Sequence, residues 1–224
     1  MFLHISKKNR ILISAFTGIG ACIIDIVILF SLGSYFPGYD QLRNTISRLG
    51  ASVSPVSDII SIWWIILGIL FIFFGLGFRL SFGKENRKVN LAMWAIIIYS
   101  LGEGMGSGGF KADHIGNSLT LSAQIHDVLG GIGIVAILAL PLLMNQFVPG
   151  PGEKRAFRTF SWIIFGLLLF FLVLFTFRFS KNLSSFLIEY KGLWQRIFLM
   201  IIYIYFITIA FIMIKNRKST VLNK

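Results

Sequence analysis

The chain has 224 residues, 56% of them hydrophobic and 13% charged, with a net charge of +12 at neutral pH. That balance excludes an ordinary soluble domain and points to an integral membrane protein. The single cysteine, Cys22, excludes an intrachain disulfide and, inside an apolar run, reads as a small buried hydrophobe.

Six runs reach the ~20 residues that a membrane-crossing helix requires. They lie at 11–35, 59–80, 89–107, 121–147, 157–179 and 193–214. Helices satisfy their own backbone polar groups, as hydrocarbon demands. The expected fold class is therefore all-α: a polytopic bundle of six transmembrane helices, one domain over residues 1–224. The first run follows Lys7, Lys8 and Arg10, as a signal peptide would. It is too long for an ordinary signal core and no A-x-A site follows it, so it reads as a retained span. His4, ahead of it, reads as a solvated tail residue.

The first loop spans 36–57. Asp40 is placed to cap a short helix, Leu42, Ile46 and Leu49 recur at helical spacing, and Gly50 is placed to stop it. The expectation is a short amphipathic helix lying on the outer surface of the bundle, with Arg43, Ser47 and Arg48 toward solvent or headgroups. Asp58 reads as the N-cap of the second span. The loops at 83–88 and 149–155 are polar turns with Gly or Pro punctuation.

Charge sets the orientation. With polar residues inside the spans counted to their nearer end, one side holds 14 basic residues against Glu85 and Glu153. The other side holds seven of each sign. The whole +12 thus falls on one side, which places both termini in the cytoplasm and the protein in the plasma membrane. The excess suits anionic lipid headgroups and not a nucleic-acid stripe. Membrane lipids are the expected partners and nucleic acid is not; the oligomeric state stays open.

The stretch from Tyr99 to Gly133 holds three of the nine acidic residues, Glu103, Asp113 and Asp127, and two of the three histidines, His114 and His126. Charge at a span centre costs about 2.5–3.5 kcal/mol, so such residues tend to face a partner or a wet cavity. Asp25 is the deepest, the fifteenth residue of its span. Glu103, Asp127 and Arg196 lie nearer the outer ends of spans three, four and six. The plain account of these charges is an ion pair between Arg196 and a carboxylate. The functional account is a ligand site of Asp25, Glu103, Asp113, His126, Asp127 and Arg196.

His126 shares a helix face with Ser122, Gly130 and Gly133, which lets another helix approach closely. Facing it should be span three, with five glycines in the eight residues from Gly102 to Gly109. That density weakens the helix, and freed amides could bind an anion such as phosphate. A loosely wound helix end explains the same glycines. Asp113, His114 and His126, with a carboxylate, are of the types that hold a divalent metal such as zinc, the one cofactor these residues suggest. No HExxH or CxxC spacing fixes such a site. His126 and Asp127 could equally relay protons, and Ser122 beside His126 lacks an orienting third group. Whether the chain is an enzyme stays open; His126, Asp127 and Glu103 are the catalytic candidates if it is. Trp63, Trp64, Tyr99, Trp162 and Trp194 read as interfacial anchors, and the 23 phenylalanines as lipid-facing bulk.

Three places carry a resemblance. Asn44-Thr45-Ile46-Ser47-Arg48-Leu49-Gly50-Ala51 follows the first span, Asp113 precedes His126 at the head of span four, and Gly192-Leu193-Trp194-Gln195-Arg196-Ile197 opens span six. Together they resemble the prokaryotic six-span membrane family known as domain of unknown function nine-nine-eight. The resemblance implies a compact six-helix protein with its marked polar residues on the outer side, and it implies no reaction. The family commonly has an acidic residue where Gln195 stands. The leading functional expectation is a protein that binds or handles a lipid or small amphiphile in an outward-facing intramembrane polar pocket. A metal-dependent membrane-embedded lipid hydrolase and a proton-coupled transporter are the alternatives.

Overall fold

The computed structural model describes residues 6–115, 118–144, 151–177 and 185–222, so His4 lies outside the described residues. Five helices are long and apolar enough to cross a membrane. They are α1 (Lys7–Ser34), α2 (Ser57–Phe82), α5 (Leu121–Met144), α6 (Pro151–Thr176) and α8 (Lys191–Leu222). Together they make the chain a multi-pass, all-helical membrane protein. A short α7 (Ser185–Glu189) leads into α8.

The third predicted run departs from a plain helix. It begins as α3 (Arg87–Tyr99), capped by the Asn86 side chain on the amide of Lys88. It continues as a π-helical segment, Ser100–Gly106, and ends in the short α4 (Ser107–Gly109). Glycine holds an α-helix poorly, and π-helical turns inside helices occur frequently at functional sites. Past α4, His114–Ile115 and Ser118–Leu119 form a small antiparallel pair, β1 and β2.

The first loop also differs from expectation. The Asp40 carboxylate accepts from the amides of Leu42 and Arg43 and so closes a turn. The helix that follows is a single 3-10 stretch, Ile46–Gly50, with Ile46 and Leu49 buried. It is inserted and not laid on a surface: a Cβ at Gly50 would come within 2.6 Å of the Trp64 ring. Asp58 does not cap α2. It lies in the first turn, where it meets Lys111 at 3.0 Å.

The core is aromatic. Phe71 and Phe74 of α2 and Tyr99 of α3 surround Phe206 of α8, with ring centroids 5.1 Å (Phe71), 5.4 Å (Phe74) and 5.9 Å (Tyr99) from it, and Tyr203 of α8 packs on Phe71 at 5.8 Å. Such pairs add about 0.5–1.5 kcal/mol each beyond the area they bury. These phenylalanines fill the protein interior, whereas Phe16, Phe73 and Phe170 face outward as expected. The anchor reading of the aromatics needs the same correction. Trp64 and Tyr99 are buried and Trp63 is turned inward to Asp25, while Trp162 is exposed.

Candidate functional site

Asp25 is buried in α1 with both carboxylate oxygens occupied. The indole Nε1 of Trp63 donates to Oδ1 at 2.7 Å and the Tyr203 hydroxyl to Oδ2 at 2.6 Å. Hydrogen bonds to an ionised or strongly polar acceptor of this kind are the short, strong ones. Asp25 is therefore held in place by α2 and α8.

Glu103 comes from the π-helical segment. That segment sits against α2 and α5 at backbone distance. A Cβ on Gly104 would lie 2.6 Å from the Cα of Gly68, and one on Gly102 would strike the carbonyl of Leu129. Close approach through small residues is the usual way membrane helices gain packing without a hydrophobic drive between them. The same approach sets the carboxylate over α5: a Cβ on Gly130 would meet Glu103 Oε1 at 2.9 Å. The small face predicted beside His126 thus receives an acidic side chain from the segment predicted to oppose it.

His126 is buried in the second turn of α5. Its Nδ1–H donates to the carbonyl of Phe110 at 2.9 Å. That bond fixes the tautomer of the neutral ring and leaves Nε2 as its acceptor. Asp127, next along the helix, is partly exposed.

These four residues share one cavity of about 350 Å³. Its walls come from α1, the 3-10 helix, α2, α3, the π-helical segment, α4, α5, α6 and α8. Most of the wall is apolar, including Leu29, Leu67, Phe71, Phe198 and Ile202, with Asp25, Glu103, His126 and Asp127 set into it. It lies in the half of the bundle that holds the end of α1 and the starts of α2, α5 and α8. The basic residues at 7–10, 79–88 and 153–158 belong to the opposite helix ends.

Asp113 and Arg196 do not line the cavity; both tie down loops. Asp113 accepts from the amide of Ser52 at 2.7 Å and from its hydroxyl at 2.6 Å. Arg196 is 3% exposed, and no described carboxylate pairs with it. The ion-pair account therefore gives way to a loop clamp. Nη1 donates to the carbonyls of Asn44 (2.9 Å) and Gly192 (3.0 Å), and Nη2 to the Tyr39 hydroxyl and Gln41 Oε1, each at 2.6 Å. A planar fork with five donors can span four acceptors where a point ammonium cannot. Tyr39 donates onward to the carbonyl of Thr45. Burial pushes its phenol above the ordinary range, with the adjacent Arg196 charge pulling it back. Gln195, beside Arg196, lines the cavity and accepts the amide of Ile46 at 2.7 Å. A neutral amide thus does a backbone-pairing job at that position.

Among the described residues no three His, Cys, Asp or Glu side chains group around a common point that could hold a metal. The side chain of His114 lies outside the described residues; its backbone belongs to β1. Asp113 and His126 are directed to different backbone partners, Ser52 and Phe110. Sequence reasoning missed Tyr99, Trp64 and Tyr203 as cavity residues. The signal was present in Trp63, Trp64 and Tyr99, which lie at the same end of the bundle as the acidic groups.

Membrane-length helices closed around a cavity that carries acidic groups and one imidazole define a polytopic membrane protein with space for a small ligand. The chain matches the family described as Protein of unknown function (DUF998) over residues 19–212, and it belongs to that family. No curated protein and no solved structure matches it.

Proposed function

We propose that the cavity binds the polar head of a membrane lipid or other small amphiphile. The observation that carries this reading is the joining of Asp25, Glu103, His126 and Asp127 to a largely apolar wall in one space of about 350 Å³. Ligand sites are typically mostly apolar cavities of ~300–1,000 Å³ with a few placed polar groups. A freely soluble solute has little use for such a wall, whereas an amphiphile matches both parts of it.

In this reading the composite helix from Arg87 to Gly109 is the sixth span. Its 23 residues amount to about 35 Å at 1.5 Å per residue, enough for a hydrocarbon core of about 30 Å. The basic helix ends face the cytoplasm with both termini, the membrane is the plasma membrane, and the cavity belongs to the outer leaflet. The test is ligand retention. Full-length protein purified in mild detergent is analysed by native mass spectrometry for co-purifying lipid. The double variant His126→Ala, Asp127→Ala should lose that lipid while keeping its helical signal. Unchanged retention would defeat the proposal.

A further inference from the structure

Most of the residues that line the cavity are buried. Among the described residues that line it, the exposed ones are Gly131, Val135 and Thr176, and all three belong to α5 and α6. Val135 is 68% exposed. Gly131 faces open space, since a Cβ there meets nothing within 4 Å. The Thr176 hydroxyl donates back to the carbonyl of Val173 at 2.8 Å, which leaves the mouth without a polar demand of its own. Around it the outer faces carry Val128, Ile132, Phe170 and Val173, all exposed. A surface of that composition is covered by lipid chains and not by water.

We infer that the cavity opens sideways into the bilayer between α5 and α6, and that its ligand is a chain-bearing amphiphile that enters there and leaves its tail in the membrane. This inference rests on the binding reading above. Asp127, Gly131 and Val135 follow one another at four-residue spacing along one face of α5, over about 12 Å at 1.5 Å per residue. The slot is therefore polar at the end nearer the start of the helix and apolar toward the bilayer centre, the polarity order of a lipid leaflet. Size points the same way. A space of about 350 Å³ is at the small end of the range for ligand pockets. It holds a head and the first part of one chain, so the remaining chain needs a way out through the wall.

The experiment uses the full chain in vesicles of phosphatidylethanolamine and phosphatidylglycerol, with a trace of phosphatidylethanolamine bearing a diazirine at the head-group end of one acyl chain. After illumination, labelled residues are located by mass spectrometry. In the unsubstituted protein, label is expected on Phe198 or Ile202 inside the cavity as well as on the outer residue Phe170. Gly131→Trp fills the mouth and should abolish the interior label while keeping the label on Phe170. Gly166→Trp, at an exposed α6 glycine that also meets nothing within 4 Å and does not line the cavity, should keep both. Val135→Trp carries the same expectation as Gly131→Trp and replaces it if that variant does not fold. Interior label that survives in the folded mouth variants overturns the lateral entry and leaves lipid binding standing. No interior label in the unsubstituted protein overturns the binding reading and the portal together.

Discussion

Gly104→Ala should destabilise the protein although alanine is the better helix former. The added Cβ would lie 2.6 Å from the Cα of Gly68, 2.9 Å from its amide nitrogen and 3.2 Å from the carbonyl oxygen of Trp64. All three are backbone atoms, so no side chain can swing aside. Relief requires the π-helical segment and α2 to move apart by roughly an ångström, and a gap of about 0.5–1 Å already forfeits a quarter to a half of each contact's dispersion energy. Overpacking of this kind costs about 1–3 kcal/mol. Gly131→Ala is the matched control. It meets nothing within 4 Å, so it should show the helix-propensity gain of about 0.5–1 kcal/mol unopposed. Thermal unfolding of both variants in one detergent, followed by circular dichroism, gives the comparison. Gly104→Ala should melt below the parent protein and Gly131→Ala at or above it. Equal melting of the two variants would refute the close-packing argument.

Asp25→Leu should leave the Trp63 N–H and the Tyr203 O–H without their acceptor, at about 1–3 kcal/mol for each buried group left unpaired. Asp25→Asn keeps one oxygen for Trp63 and should fall between the parent and Asp25→Leu in melting temperature; identical losses for both variants would count against the paired role. Arg196→Lys cannot reach the four acceptors that the guanidinium spans, at a cost of about 1.5–3 kcal/mol for a lost charged hydrogen bond. Hydrogen exchange should accelerate from Tyr39 to Gly50, including the Ile46 amide held by Gln195. An unchanged exchange pattern there would dismiss the clamp.

Most of the helices were readable as apolar runs, because length and hydropathy alone identify a membrane-spanning helix. The convergence of Asp25, Glu103, His126 and Asp127 was readable from cost: a charge that is expensive in lipid needs a common shelter. Arg196 obeys the same rule through a backbone group 152 residues away, whereas Asp113 lies in a loop, where it is held by the amide of Ser52, 61 residues away. No local spacing encodes such loop contacts. The glycines from Gly102 to Gly109 announced a weakened helix but not its form. Nor could the pattern separate Trp64, which packs on Gly50 and lines the cavity, from Trp162, which faces outward. Both are aromatic residues near a span end, and their difference is set by which helix stands opposite.

The clamp at Arg196 also has a consequence for biosynthesis. Chains emerge from the ribosome amino end first, and segments fold as they become available. The first loop is made early, yet the groups that latch it, Gln195 and Arg196, arrive with the last helix. A nascent chain stopped before residue 191 would hold that loop unlatched, so protease sensitivity of residues 39–50 would report whether membrane insertion has run to completion.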